Sequence, residues 1–255
     1  MAGSDAGTRD AARDARDALE RLLADTPELA ASLPPRFIDM AERYVHLLLV
    51  ANRRTNLTRV VDPPEVARLH LLDSLAALPL IDAAGSANVV DIGSGGGLPA
   101  IPLAIARPEL RWLLVESVAK KAEALRGFVA ELRLAGVDVA DQRAETIGAD
   151  PAHRGQRDLV TARACASLPV LVELAMPLLQ PDGKLLAWKG PLLPTDEEVR
   201  RGALAAGQLG GGSPQLEPSG VVALGGHLFV VIRKDGPTPD RFPRRPGVAE
   251  RRPLA

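Results

Sequence analysis

Residues 89–99, Val-Val-Asp-Ile-Gly-Ser-Gly-Gly-Gly-Leu-Pro, gather what a chain needs to cradle a nucleotide-like ligand. Asp91 comes near the end of a β-branched, aliphatic run. Gly93, Gly95 and Gly97 allow positive φ and let the backbone approach a ligand with no Cβ in the way, and Pro99 suits the first turn of a helix whose unpaired N–H groups face the same space. Glu116 closes the next apolar run, 23 residues after Gly93, where its carboxylate can accept hydrogen bonds from both hydroxyls of an adenosine ribose. The dinucleotide fingerprint G-x-G-x-x-G needs a third glycine at position 98, and Leu98 stands there, which ranks a nicotinamide oxidoreductase last.

These residues need a scaffold that brings strand ends together. Short apolar runs at 88–92, 111–116, 137–142, 158–163 and 183–190 alternate with predicted helices over about 99–106, 120–135 and 168–179, and a polar loop precedes the fourth run. Such alternation predicts a parallel sheet with helices on both faces. The segment 221–233 breaks the pattern: two apolar runs joined by Gly225-Gly226 predict an antiparallel hairpin. Glycine loop, strand-end acid and C-terminal hairpin together point to an α/β fold of the Rossmann-like class I methyltransferase type, with S-adenosyl-L-methionine as cofactor.

Upstream, apolar spacing predicts helices over about 10–25, 35–53 and 64–80, separated by Pro27 and the Pro34-Pro35 pair, with disorder from Met1 to Gly7. The resulting division is an N-terminal extension (1–34), a helical lobe (35–86), a cofactor-binding domain (87–235) and a basic tail (236–255), with a flexible loop at Gly207–Ser213. Aromatic residues make up only 3% of the chain, too few for a base-stacking platform. The single cysteine excludes an internal disulfide and a cysteine-rich zinc site, so no metal is expected and a reducing, cytoplasmic setting is. No run reaches the ~18 apolar residues of a membrane span. Net charge is −1, yet from Arg233 to Ala255 seven bases face three acids, a distribution suited to local phosphate contact or to a solvated tail.

The acceptor is read from residues following the fourth run, Arg163-Ala164-Cys165-Ala166-Ser167. Amino-group methylases place Asn or Asp before Pro-Pro-aromatic here, and that motif is absent; Asp62-Pro63-Pro64-Glu65 precedes the glycine loop and reads as a turn and helix start. Cys165 lacks the preceding proline of cytosine-C5 methylases and reads as a small packing residue. The acceptor is then an atom already nucleophilic at neutral pH. Guanine N7, with an exposed lone pair and no proton to lose, needs only positioning and electrostatics. Arg163 and Lys189 follow strand ends, where open α/β sheets bind ligands, and can meet phosphates or the guanine O6 edge, or else form cleft ion pairs. His70, Asp73 and Ser74, at i, i+3 and i+4, share a helix face. Arg53, Arg54, Arg59, Arg163, Lys189 and the tail arginines Arg244 and Arg245 compose the expected RNA-facing surface.

Several ordered segments resemble one family. Asn56-Leu57-Thr58, His70-Leu71-Leu72-Asp73-Ser74, the glycine loop, Arg143-Ala144-Glu145, the run 163–168, Trp188-Lys189-Gly190 and Phe242-Pro243-Arg244-Arg245-Pro246-Gly247 are similar to successive signatures of the RsmG (GidB) family, over about Arg36 to Leu254. The resemblance implies methylation of N7 of one guanine in a loop of 16S ribosomal RNA, in the small subunit or its precursor; the chain is expected to be a monomer with no membrane partner. It implies that Gly93 and Leu98 contact the cofactor, that Ala144 and Glu145 border its adenine, and that Arg163 lies near the methyl group without acting as a base. It turns His70, Asp73 and Ser74 toward the cleft, where they are expected to contact the RNA. Glu116 stands where the family often has Asp. A small-molecule or protein methyltransferase and a catalytically silent RNA-binding protein share the fold class as alternatives.

Overall fold

The computed structural model describes residues 2–255; Met1, the first residue of the segment expected to be disordered, lies outside them. Helix α1 (Ala2–Ala24) begins well before the expected Asp10, and Ala12, Ala15, Leu19 and Leu23 recur on its buried face at helical spacing. After α2 (Pro27–Ala31), α3 (Phe37–Thr55) buries Phe37, Tyr44, Val45 and Leu48 and ends on Asn56 in the left-handed region, φ 49°. Asp62 stands just before α4 (Pro63–Val66), the turn and helix start expected of Asp62-Pro63-Pro64-Glu65. The third expected helix is not uniform. A π-helical segment, Ala67–Leu72, links α4 to α5 (Asp73–Leu75), and α6 (Leu78–Ala83) follows. Extra-wide turns of this kind collect at functional sites, and this one carries His70.

Strands β1 (Asn88–Ile92), β2 (Arg111–Val115), β3 (Val137–Ala140), β4 (Arg157–Arg163), β5 (Leu179–Lys189), β6 (Gln215–Pro218) and β7 (Leu228–Arg233) form one sheet of order β3-β2-β1-β4-β5-β7-β6. The first five pair in parallel, and β7 runs antiparallel to both β5 and β6. Side chains alternate across the sheet: Val89, Leu114, Leu159 and Leu186 join a core shared with the N-terminal helices, while Val90, Val115, Val160 and Ala187 join a second core. That second core contains residues of α10 (Leu168–Ala175), α11 (Glu197–Leu209) and α12 (Val248–Arg251). Strand order reverses at β1, whose neighbours are β2 and β4, and a cleft opens at such a point. Of the remaining helices, α7 (Ala100–Ala106) follows the glycine loop, α8 (Ala119–Leu132) follows β2, and α9 (Ala144–Ala149) stands in the stretch read as polar loop.

Three expectations need correction. The hairpin exists, but its first strand is Gln215–Pro218 and not Val221–Leu224. Leu224 donates to Val221 O and closes a 3-10 turn, Leu224 turns into the core, and Val222 points to solvent. Gly207–Ser213 is not a flexible loop: α11 runs to Leu209, and the Gly210 carbonyl accepts from both Asp235 and Gly236 N–H. Gly210 has φ +78°, and a Cβ there would sit 2.3 Å from Gly236 O. The tail is docked, with Phe242 and Ala249 buried and the Arg154 guanidinium donating to Phe242 O at 2.7 Å and Thr238 O at 3.0 Å. Among the described residues, no helix is long and apolar enough to cross a membrane.

Candidate functional site

The glycine loop is gripped from two sides. Gly93 and Ser94 N–H donate to Val115 O at 2.9 and 3.2 Å, and the Tyr44 hydroxyl on α3 donates to Gly96 O at 2.8 Å. Burial holds that phenol well above its ordinary pKa, so it stays a donor. Nothing in the sequence ties Tyr44 to a carbonyl 52 positions away. A Cβ on Gly93 would lie 2.7 Å from Cys165 Cβ, and one on Gly97 2.4 Å from Ile101 Cδ1, which is why both are glycine.

Glu116 is buried at the end of β2, its Oε2 accepting from Gly95 N–H at 3.0 Å and Oε1 from Val118 N–H at 2.8 Å. Each oxygen keeps a lone pair, so the carboxylate both shapes the loop and remains an acceptor for ribose hydroxyls. Asp91 lies beneath, fully buried: Thr161 Oγ1 donates to its Oδ1 at 2.7 Å, while Oδ2 has no partner. Burial pushes its carboxyl up to about 7. A cavity of about 150 Å³ opens beside the loop, lined on one side by Ile92, Gly93, Val115 and Ser117 and on the other by Gln142, Arg143, Ala144 and Glu145. Two hollows of about 570 and 610 Å³ lie against the N-terminal helices, and neither touches the C-terminal end of a parallel strand. The small cavity matters because the sheet topology and the acid meet there. Close-approach glycines, a strand-end acid and a slot of mixed apolar and polar lining fit the adenosine part of S-adenosylmethionine: Gly93, Glu116 and Ala144 would hold it.

The predicted cofactor residues divide. Gly93, Ala144 and Glu145 line the cavity and Glu116 stands at its edge, whereas Leu98 packs into the lobe-side core. Glu145 has a structural partner as well, its Oε1 accepting Gly247 N–H at 2.7 Å. Cys165 lines the cavity instead of packing in a core, and burial pushes its thiol up to about 12. The nearby Asp91 charge acts in the same direction.

On the lobe side, Arg163 ends β4 and donates through Nη1 to Asp73 Oδ2 at 2.9 Å and Leu69 O at 2.8 Å. The other Asp73 oxygen meets His227 Nδ1 at 2.9 Å, and the Trp188 indole N–H donates to Asp73 O at 2.9 Å. His70 completes the cluster, its Nε2 hydrogen-bonded to Thr58 Oγ1 at 2.7 Å and its Nδ1 3.5 Å from Arg163 Nη2. Burial, then the Arg163 charge, lowers its pKa to about 4, so the ring is neutral at pH 7. His227 could not be tied to this cluster in advance, because 154 residues separate it from Asp73.

Four expected RNA contacts are placed otherwise. Ser74 is fully buried, its hydroxyl donating to His70 O at 2.6 Å, and Asp73 is occupied by Arg163 and His227. Lys189 Nζ is 2.7 Å from Glu198 Oε1 and 3.2 Å from Ala166 O, the cleft ion pair and not a phosphate contact. Arg244 wraps a fully buried acid: its Nε reaches both Glu173 oxygens at 2.8 and 3.0 Å, and its backbone N–H donates to Oε1 at 3.0 Å. Arg245, Arg53, Arg54 and Arg59 are exposed. Among the described residues, no group of three or more His, Cys, Asp and Glu could hold a metal ion.

Residues 38–207 match the family described as rRNA small subunit methyltransferase G (GidB). The ribosomal RNA small subunit methyltransferase G of Deinococcus deserti is 41% identical over 239 residues, 93% of this chain and 97% of that protein. Among solved structures, the cofactor-bound Rv0187 from MTB superposes with a TM-score of 0.53 at 21% identity, covering 76% of this chain and 90% of that one. The O-methyltransferase TomG from Streptomyces achromogenes, in complex with SAM, gives 0.50 at 23%, covering 74% and 90%. At those identities the superpositions speak to the fold.

Proposed function

The chain belongs to the rRNA small subunit methyltransferase G family, S-adenosylmethionine-dependent rRNA methyltransferases, and on that premise we propose that its acceptor is N7 of one loop guanine of 16S ribosomal RNA, in the small subunit or its precursor. The observation that carries this reading is the chemistry of the cleft. Of its titratable groups, the Cys165 thiol stays protonated near neutrality, the His70 ring is a weak base with Nε2 occupied by Thr58, and Asp91 is sealed from the cavity. None of these three is a proton acceptor with both reach and suitable basicity, and on the lobe side Asp73 is engaged by Arg163 and by His227 Nδ1. Guanine N7 needs none: the cofactor supplies a sulfonium-bound methyl, the N7 lone pair forms the new N–C bond as the C–S bond breaks toward sulfur, and no proton moves.

Arg163 is the group proposed to position the base. Asp73 and Leu69 O fix its guanidinium from one side, and the remaining N–H groups can reach the O6/N7 edge of a guanine, the pairing arginine makes best. A base inside an A-form helix could not bring N7 to the methyl group, so the target lies in a loop from which it can unstack. The test is transfer of labelled methyl to naked 16S RNA and to small subunits lacking the modification, with the product identified by nuclease digestion and mass spectrometry. N7-methylguanosine at one loop position is the expected result; label on another atom or base, or on neither RNA nor subunit, rejects the acceptor.

A further inference from the structure

The far end of the cofactor cavity is built by the C-terminal segment. Arg244 anchors that segment on Glu173, Gly247 N–H anchors it on Glu145, and α12 then places Glu250 on the cavity lining beside Arg143 and Ala144. Two buried carboxylates thus serve to hold a third, solvent-reaching one at the mouth. The acids differ in what they have left to offer. Glu116 accepts a backbone N–H on each oxygen, and Glu145 is buried and accepts Gly247. The Glu250 carboxylate has Arg143 Nη1 at 3.8 Å, an ion pair too long for a hydrogen bond.

With the ribose at Glu116, the base continues along the slot away from the strand end, toward the loop before α9 and toward α12. A 6-aminopurine presents two N–H donors on its outer edge, and a carboxylate accepts them; a 6-oxopurine presents a carbonyl there, which a carboxylate repels. We propose that Glu250 recognises the 6-amino group of the cofactor's adenine and sets its preference for adenosine over a 6-oxopurine nucleoside, with Glu145 and Glu173 as the residues that position it. The inference rests on the cofactor and not on the RNA acceptor, so its test uses no RNA.

The experiment is calorimetric titration of the full chain with S-adenosylhomocysteine and with S-inosylhomocysteine, its 6-oxo counterpart. Wild type is expected to favour the adenosyl ligand about tenfold or more, the scale of one charge-assisted hydrogen bond. Glu250→Ala is expected to bring that ratio to within about threefold by weakening the adenosyl ligand alone, and Glu250→Gln, whose amide oxygen still accepts, to retain part of it. Arg143→Ala, which removes the ion pair and not the acceptor, should keep the ratio. An unchanged ratio in Glu250→Ala, or equal weakening of both ligands, overturns the inference and leaves Glu250 a wall. A wild-type chain that binds neither ligand overturns the cofactor assignment together with it.

Discussion

Two arginine–carboxylate pairs stand at opposite ends of the cleft, alike in chemistry and different in use. Arg244 meets Glu173 with side chain and backbone at once and adds a hydrogen bond to Arg252 O, so its Nε and Nη2 are committed inside the protein. Arg163 meets Asp73 with one nitrogen, and Asp73 gives its second oxygen to His227. Its Nη2 stands 3.5 Å from His70 Nδ1, so only one nitrogen of the Arg163 fork is committed to a carboxylate, although its side chain is less exposed than that of Arg244, 14% against 25%. A buried acid matched completely makes an anchor, and one matched by a single nitrogen and a histidine makes a presenter. The tail end of the cleft is built for permanence, and the lobe end for contact.

The largest effect should come from breaking the anchor. Arg244→Ala leaves Glu173 fully buried without its guanidinium, and we expect a loss of about 3–5 kcal/mol in urea unfolding. Weaker S-adenosylhomocysteine binding should accompany it, since Gly247 and Glu250 move with the tail. A loss under about 1 kcal/mol would remove the distinction between the two ends. The presenter should fail differently. Arg163→Lys keeps a cation beside Asp73 but not the planar fork, so kcat for methyl transfer should fall about a hundredfold while S-adenosylhomocysteine affinity stays within about threefold. Equal losses in both would place Arg163 in cofactor binding.

The same contrast explains what could be read in advance. The glycine loop, the strand-end acid and the parallel strands were legible because local composition dictates them: φ-permissive residues, apolar runs, helix starts. The two arginines were not separable, because their difference lies in partners 71 and 90 residues away that only the sheet order brings near. Helix α11 was missed since its buried positions are Val199, Gly202, Ala205, Ala206 and Leu209, too small and too glycine-rich for a clear apolar stripe; Asp196 with Glu197 and Glu198 was the available signal of its start. Ser74 had the right spacing and the wrong surroundings. The π-helical segment ahead of it shifts the face that spacing alone assigns.

A pH series sharpens the comparison at the lobe end. His70 titrates near 4 when folded, below the ordinary 6.5, so between those values the unfolded chain binds more protons and stability falls as pH drops. Fully expressed, that is roughly 3 kcal/mol, and His70→Gln should flatten the slope between pH 6.5 and 4. Asp91 works in the opposite sense: its folded value of about 7 lies above the ordinary 3.8, so it lowers stability as pH rises from about 4 to 7. The windows overlap, and subtracting the His70→Gln curve from wild type isolates the histidine. A difference curve without slope would mean that His70 is charged when folded, and Arg163 would then be repelled from it and not presented by it.

The smallest effects belong to the exposed arginines, and they decide which end meets RNA. Arg53, Arg54 and Arg59 lie on the lobe side, Arg245 on the tail beside the anchor, and all four are exposed. Each phosphate contact contributes close to one unit to the slope of log affinity against log salt, about 1 kcal/mol near physiological ionic strength. If presentation is confined to the lobe end, Arg53→Ala, Arg54→Ala and Arg59→Ala each lower that slope in filter binding to 16S RNA, and Arg245→Ala leaves it unchanged. A drop in Arg245→Ala equal to theirs would make the tail an RNA-binding surface as well as a wall of the cofactor cavity, with Arg244 then serving to hold Arg245 in place.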